Sequence, residues 1–460
     1  MTVEVVILAA GQGTRMRSSL PKVLHQVGGR SMLSHIIDAA RTLEPATIRV
    51  VVGHGAEAVR ASLGAPEVTL VDQPEQLGTG DAVRRAGPGF GQADWVVVLN
   101  ADVPLLRGTT LRKWVADLSE TSADVGILTA HPADPTGYGR ILRDEVGGVA
   151  GIREEKDATP EERAIGEVFT GIIAVRGPRL GPWLDQLTAD NAQGEYYVTD
   201  VVGIAAVEGG VHAHGVADAT EVQGINDRIH LAAAEAAYQR RVAVDLMAAG
   251  VTLRDPERTA VYGRVEPAPD VVVDPDCQFE GDVVLGEGVH IGPGCLLRNC
   301  RLKAGAVVEA RSHIDGAVVG EGATVGPFAR LRSGTVLEEG AKVGNFVETK
   351  NAHLHYGVKA NHLSYVGDAE VGAGANLGAG TITCNFDGHR KHGTSIGAGA
   401  FIGSAVQLVA PITVGEGATI GAGSTITKHA PAHALTLSRA RAVTRYDWKR
   451  PEQRGPEEPE

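Results

Sequence analysis

The sequence predicts an α/β unit followed by a parallel β-helix, with one long helix between them. Three observations carry that prediction. Over the first half, short apolar runs ("EVVILAA", "IRVVVGH", "VTLVDQ", "WVVVLNAD" and "VGILTA") alternate with helix-length segments such as "SMLSHIIDAARTL". From about residue 285 onward, an aliphatic residue recurs every six positions. Between these halves, residues 228–250 are rich in Ala, Leu and Arg and contain no proline.

Each part follows from a physical reason. Strands alternating with helices imply an open, mostly parallel sheet with a ligand crevice at the carboxyl ends of its strands. Residues 1–227 form this part. The segment 228–250 reads as a single helical linker that ends near Gly250. Beyond it, Leu285, Ile291 and Leu297 are in step, then Leu302, Val308 and Ile314, then Val319, Val325, Leu331, Leu337 and Val343. The beat resumes at Val366, Val371 and Leu377 and closes as Ile396, Ile402, Leu408, Val414, Ile420 and Ile426. A period of six suits neither a helix nor a long strand. It suits a short strand plus a corner, three of which close a triangular coil of about 18 residues. Glycine after the aliphatic residue supplies the tight corner. This stack accounts for residues 251–440, and the charged, Pro-rich tail 441–460 is expected to be partly disordered.

Composition narrows the functional classes. With 60 glycines in 460 residues and 4% aromatic residues, the chain carries roughly twice the usual glycine share of about 7%. Its core is therefore not built mainly from large rings. A formal charge of −13 disfavours nucleic acid and anionic lipid and leaves proteins and metabolites as partners. Cys277, Cys295, Cys300 and Cys384 lack Cys-x-x-Cys spacing, so they read as small hydrophobes in a reducing compartment. No stretch approaches the roughly 18 apolar residues of a membrane span, and no basic segment precedes the first apolar run. The expectation is a cytoplasmic chain with no membrane partner.

The first apolar run breaks into Gly11 and Gly13. The loop lacks the G-x-x-x-x-G-K-[ST] pattern and departs from G-x-G-x-x-G at Met16, so alone it names no nucleotide. It does let backbone N–H groups approach an anion, with Arg15 and Lys22 as neutralising cations.

The combination is more specific. In order and spacing, "LAAGQGTRM", "PKVL", "EQLGTGDAV", "NADVPLL", "GYGRI", "EEKDAT", "GEYYVTD" and "EVQGIND" resemble the sugar-nucleotide pyrophosphorylases. Adding "NFVETKNAHLHYGVKANHLSYVGDAEVG" and "NLGAGTITCNFDG", the chain from about residue 3 to about 440 resembles the bifunctional bacterial N-acetylglucosamine-1-phosphate uridyltransferase/glucosamine-1-phosphate acetyltransferase family. The resemblance implies a Rossmann-like nucleotidyltransferase domain, a left-handed β-helix and a homotrimer with acetyl-transfer sites between adjacent prisms. It also implies two reactions. The second domain acetylates glucosamine 1-phosphate from acetyl-CoA, and the first couples N-acetylglucosamine 1-phosphate to UTP, releasing pyrophosphate and UDP-N-acetylglucosamine for cell-wall synthesis.

For the first reaction, Asp102 leaves a strand at its carboxyl end, where a hard carboxylate can hold Mg2+. The resemblance implies that Asn226 completes that metal site. It further implies that Leu8, Ala9, Ala10, Gly11, Gln73, Gly78 and Thr79 contact the nucleotide, that Lys22 contacts phosphate, and that Gly139 and Glu154 contact the sugar. Asn100 and Ala101 border the same site. Tyr196 and Tyr197 either line it or pack. Two departures stand out: Ala101 replaces a frequent glycine, and Phe169 replaces a sugar-contacting Asn. They leave open an alternative, an acetyltransferase whose nucleotidyltransferase half has altered sugar specificity or reduced activity.

For the second reaction, an amine must lose its proton to a general base, and His362 is the candidate. By resemblance, Arg332, Lys350, Tyr365 and Asn376 bind the amino-sugar phosphate. Ala379, Asn385, Phe386, Lys391, Ser404, Ala422 and Arg439 are implied for acetyl-CoA, with Phe386 where the family commonly has Tyr. The segment "CNFDGHRKHG" interrupts the beat and is expected to loop out. A rival reading makes His353, His355, His362 and Cys384 a metal site, although the beat puts them on different turns. Two other classes remain: a single-function nucleotidyltransferase whose β-helix serves assembly, and a non-catalytic scaffold. The presence of His362, Asn385 and Lys391 counts against the first, and that of Asp102, Asn226 and the phosphate-binding cations against the second.

Overall fold

The computed structural model describes residues 1–453 except Ala65 and Pro88. The chain divides into two compact units, one formed by Met1–Val244 with Val261–Gly263, the other by Asp245–Ala260 with the residues from Arg264 onward.

The sheet of the first unit contains β1 (Val3–Ala9), β2 (Thr47–Val52), β3 (Val68–Asp72), β4 (Trp95–Asn100), β5 (Val125–Ala130), β6 (Arg140–Arg143), β7 (Val149–Arg153), β8 (Val168–Arg176) and β9 (Val211–Gly215). The main order is β9-β5-β8-β4-β1-β2-β3, with the β6–β7 hairpin attached to β8. Strands β4, β1, β2 and β3 are parallel, whereas β8 runs antiparallel to β4 and β5. Strands β1 and β4 are apolar almost throughout because helices cover both faces. Val5, Ile7, Val97 and Leu99 pack towards Met32–Arg41 and Gly108–Ser119. Val6, Val96 and Val98 pack towards Thr79–Ala86, Gly177–Leu184 and Asp200–Glu208. The long helix is Arg228–Ala248, and Asp227 Oδ1 accepts from the N–H groups of Ile229 and His230, each at 2.9 Å. The division between the units falls within this helix.

In the second unit, inward side chains form columns that rise from coil to coil. One runs through Val273, Ile291, Val308, Val325, Val343, Ala360, Leu377, Ile402 and Ile420. Another joins Leu285, Leu302, Val319, Leu337, Leu354, Val371, Ile396 and Val414. The remaining column contains Phe279, Leu297, Ile314, Leu331, Thr349 and Val366, followed by Thr383, Leu408 and Ile426. Every one of these residues is at most 3% exposed. The six-residue beat is therefore the packing period of a parallel β-helix.

The lapse in the aliphatic count after Val343 has a chemical cause. Thr349 occupies an inward position, its hydroxyl 3.0 Å from that of Thr335. Thr383 does the same on a later coil, accepting from Gly367 N at 2.7 Å. The stack also begins earlier than residue 285, with Thr252–Leu253 paired to Val272–Val273. Cys277, Cys295 and Cys300 are free and buried, and Cys384 is free and half-buried. Residues 441–450 are exposed and carry no helix or strand; residues 454–460, part of the expected tail, lie outside the described residues. Among the described residues, no helix is long and apolar enough to cross a membrane.

Ile314→Ala is expected to destabilise the second unit by about 3 kcal/mol, the usual scale for emptying a tightly packed aliphatic position. Urea unfolding followed by circular dichroism measures it; an unchanged midpoint would show that the column does not bear on stability.

Candidate active sites

A cavity of about 300 Å3 opens at the carboxyl ends of β1, β3 and β4. The order β3-β2-β1-β4 reverses direction at β1, which is where open α/β sheets form a crevice. Leu8, Ala9, Ala10 and Gly11 enter from β1, Gln73 follows β3, Asn100 and Asp102 end β4, and Gly78 and Thr79 open the helix behind. Lys22 completes the set of expected residues that line it. Val23, Gln76, Ala82 and Glu195 also line the cavity and were not singled out by sequence. Gln76 donates to Ala10 O at 2.6 Å, and its only signal was its place in "EQLGTG".

The wall is held by specific hydrogen bonds. Gln73 Nε2 donates to Gly78 O at 3.0 Å and Asp81 Oδ2 at 2.9 Å. Thr79 Oγ1 accepts from Val198 N at 3.0 Å, while Gly80 N donates to Tyr196 O at 2.7 Å. Tyr196 packs beneath the Arg84 guanidinium, and buried Tyr197 accepts from Gln193 at 2.7 Å. The tyrosines pack, and neighbouring Glu195 reaches the cavity.

Charge converges on one point. Lys22 Nζ lies 2.5 Å from Asp102 Oδ2 and 2.9 Å from Asn226 Oδ1. Ile225 N donates to Asp102 O at 2.9 Å, which brings the neighbouring Asn226 to the same lysine. A carboxylate and an amide oxygen aimed at one cation form a hard donor pair suited to a divalent metal ion. Gly13 has φ 61°, and a Cβ there would lie 2.6 Å from Lys22 Cβ, so glycine is required for the loop to pass the lysine. Arg15 is exposed and does not line the cavity.

Gly139 and Glu154 adjoin, since a Cβ on the glycine would stand 3.6 Å from Glu154 Oε2. Glu154 Oε1 accepts from Thr199 at 3.0 Å. Burial pushes the Glu154 carboxyl above the ordinary value, and Asp200 and Asp157 add to the effect against the Thr199 hydrogen bond. Neither departure from the family lines the cavity. Ala101 is wholly buried in one core, and Phe169 is buried in the other with Val6 and Ala10.

In the β-helix, His362 is exposed at the end of Lys359–His362 and faces Asn345 in register on the coil before. The His362 Nδ1 to Asn345 Oδ1 distance is 2.6 Å. With the amide oxygen accepting, Nδ1 carries the proton and Nε2 presents the lone pair. On the neighbouring face, Asn385 Nδ2 donates to Asp368 Oδ2 at 2.5 Å and to Tyr365 Oη at 3.4 Å, while Asn351 Nδ2 donates to Asp368 Oδ1 at 2.8 Å. A Cβ on Gly367 would lie 2.3 Å from Tyr365 Oη and 2.8 Å from Asn385 Nδ2, so the bare glycine allows that meeting. The Lys391 ammonium close beside it, together with the charge of Arg332, holds the Lys350 ammonium pKa below its ordinary value. Arg332 Nη1 also donates to Glu348 at 2.9 Å. Lys350, Lys391 and Arg332 thus gather positive charge near Asp368, with Arg332 partly offset by Glu348. Asn376 lies in the other sheet, opposite Lys359 and Phe401.

Ala379, Ser404 and Ala422 share one corner on successive coils. Ala405 N donates to Ala379 O and Gly423 N to Ser404 O, both at 2.8 Å, and Arg439 Nη1 donates to Ala422 O at 3.1 Å. Between them, a hairpin leaves the prism through the Phe386–Lys391 bridge, leaving Phe386 exposed while Asn385 stays buried. The rival four-ligand metal set is not assembled. His353 and His355 stack against each other and face Glu338 and Glu370, while His362 turns to Asn345. Cys384 Sγ makes a long contact of 3.9 Å to Ile382 O.

Two transferase classes thus meet in one chain, a nucleotidyltransferase and a hexapeptide acyltransferase. Residues 5–164 match the MobA-like NTP transferase domain, 261–364 the GMPPB C-terminal domain, and 393–428 the bacterial transferase hexapeptide with six repeats. The chain is 54% identical over 451 residues to the bifunctional protein GlmU of Alkalilimnicola ehrlichii, covering 98% of this chain and 97% of that one. It is 54% identical to that of Stutzerimonas stutzeri, with 98% and 99% covered, and 53% identical to that of Bordetella bronchiseptica, with 97% and 98% covered. The chain belongs to the bifunctional GlmU family. It is a bifunctional enzyme with uridyltransferase and acetyltransferase halves, and nothing in these matches favours the alternative of an impaired first half. A nucleotide and a divalent metal ion belong to the first half's chemistry.

Glu154→Gln tests the buried carboxyl. Because its pKa is raised on folding, its stabilising effect is full below about pH 4.5, the ordinary value, and is lost as pH rises through the folded value. The amide variant is expected to gain stability relative to the parent as pH rises from 4.5 to 7, seen in thermal unfolding at each pH. A constant difference across that range would show that Glu154 does not titrate abnormally.

Proposed function

We propose that the two halves act in sequence to make UDP-N-acetylglucosamine for cell-wall synthesis. The β-helix acetylates glucosamine 1-phosphate from acetyl-CoA, and the α/β unit transfers uridylate from UTP to the resulting N-acetylglucosamine 1-phosphate. The observation that carries this reading is the His362 imidazole oriented by Asn345 on the acetyltransferase unit, with the positive charge of Lys350, Lys391 and Arg332 on the neighbouring face in support.

In acetyl transfer, His362 Nε2 takes a proton from the sugar amine as its nitrogen attacks the thioester carbonyl; the C–S bond breaks and coenzyme A leaves. Asn345 keeps Nδ1 protonated throughout the approach. Arg332, Lys350 and Tyr365 hold the sugar phosphate, with Asn376 joining them. Asn385, Lys391 and the hairpin carrying Phe386 flank the thioester, and the corner of Ala379, Ser404 and Ala422 leaves an uncrowded path for the pantetheine arm towards Arg439.

In uridyl transfer, a phosphate oxygen of the sugar attacks the α-phosphorus of UTP and the bond to pyrophosphate breaks. The loop from Leu8 to Gly11 lines the nucleotide cavity, while Lys22, with Arg15 from the rim, neutralises phosphate charge. Gln73, Gly78, Thr79 and Asn100 shape the nucleotide pocket, and Gly139 and Glu154 contact the sugar. Asp102 and Asn226 hold Mg2+, which when bound offsets charge on the reacting phosphates.

A homotrimer belongs to the same proposal. It is supported by an exposed apolar ladder beside His362, in which Phe328 and Phe346 stack at 5.4 Å and Leu363 follows on the next coil. A cytoplasmic location is supported by the four free thiols.

Mass spectrometry of products from glucosamine 1-phosphate, acetyl-CoA, UTP and Mg2+, with each donor omitted in turn, tests the sequence of steps. UDP-N-acetylglucosamine is expected only with both donors; UDP-glucosamine formed from UTP in the absence of acetyl-CoA would refute the order. His362→Ala is expected to slow acetyl transfer by about 10²–10⁴-fold and leave uridyl transfer intact. Asn345→Ala should lower kcat of acetyl transfer with little change in KM, whereas unchanged kcat would remove its orienting role.

A further inference from the structure

Beyond the residues given a role in either reaction, the β-helix carries a further side-chain cluster, whose His353 and Glu370 line a cavity shared with Asn351 and Asp368. His353 and His355 lie on the strand Glu348–Leu354 and just beyond it, flanking the inward Leu354. Alternation along the strand sends both rings outward, where they stack with centroids 4.0 Å apart. Glu338 comes from the preceding coil and Glu370 from the following one, since Leu337, Leu354 and Val371 are register partners.

The two carboxylates approach different nitrogens of the rings. Glu338 Oε1 lies 2.9 Å from His353 Nε2 and 3.0 Å from His355 Nδ1. Glu370 Oε1 lies 3.2 Å from His353 Nδ1 and also contacts His355 Nε2. Glu338 is itself fixed, its Oε2 accepting from Tyr356 N at 3.0 Å. One atom each from Glu338, His353 and His355 lies within 4.8 Å of the other two.

We propose that Glu338, His353 and His355 form a site for a borderline divalent cation, zinc foremost, on the outer wall of the β-helix. Tetrahedral zinc holds its ligand atoms roughly 3.3 Å from one another, close to the spacing of Glu338 Oε1 from both nitrogens. Two imidazoles and one carboxylate are a donor set that zinc favours over magnesium or calcium. Glu370 accepts from the opposite ring nitrogens, the position from which a carboxylate orients metal-bound histidines and increases their basicity. With Glu338 on one coil, the histidines on the next and Glu370 on a third, the ion would cross-link successive coils. Imidazole and carboxylate ligands bind metal in their deprotonated forms, so protons compete with the ion as pH falls.

The test uses full-length, chelator-treated protein carrying Asp102→Asn, which weakens the other expected metal site. Calorimetric titration with Zn2+ is expected to show one saturable site per chain, weakening as pH is lowered. Co2+ should give the visible absorption of a tetrahedral complex. The double variant His353→Gln/His355→Gln should lose that site, and Glu370→Gln should weaken it by about 10–100-fold. Absence of saturable zinc binding, or an isotherm unchanged in the double variant, would overturn the proposal. If the double variant does not fold, Glu338→Gln carries the same test through one isosteric change, and undiminished zinc affinity there would likewise overturn it.

Discussion

An inward side chain at every fifth or sixth position is the constraint on which the second unit depends. Each column must be filled on each coil, so every coil repeats the path of the one before. Outward atoms therefore fall into register as strictly as the buried ones. This is why His362 stands over Asn345, and why Asn385, Tyr365 and Asp368 meet although they come from different coils. Precision at the surface is inherited from packing in the interior, where substitution of a column residue is costly.

The two catalytic regions share an electrostatic plan despite unrelated folds. In the first, Lys22 is held between Asp102 and Asn226. In the second, the charges of Lys350, Lys391 and Arg332 gather near Asp368, itself bonded by Asn385 and Asn351. Each sets cationic side chains against oxygens fixed by neighbouring hydrogen bonds, so both regions are polarised before any ligand arrives. Such preorganisation reduces the rearrangement needed as charge moves during reaction.

Much of this was legible in the sequence because it was periodic or followed strand ends. The aliphatic beat identified the columns, and the position of Asp102 after an apolar run placed it at the cavity. Thr349 and Thr383 escaped the count because they fill aliphatic positions with hydroxyl-bearing side chains whose oxygens are satisfied inside. Asn345 and Asp368 escaped because an outward polar residue at a corner looks like any solvated one until its neighbour on the next coil is known. The same blindness hid Glu338 and Glu370 beside the paired histidines, so the metal reading chose His362 and Cys384 as companions. Ala101 and Phe169 looked like altered site residues; only burial reveals that their side chains belong to the cores.

The hairpin that leaves the prism after Asn385 has a broader consequence. Residues Thr394–Ile396 resume pairing with Ala369–Val371 below and Ile412–Val414 above, as though the excursion had not occurred. The scaffold's register is thus decoupled from the length and composition of the excursion. Length and composition can therefore change in the excursion while the stack that carries it keeps its register, which separates the freedom of the loop from the demands of folding.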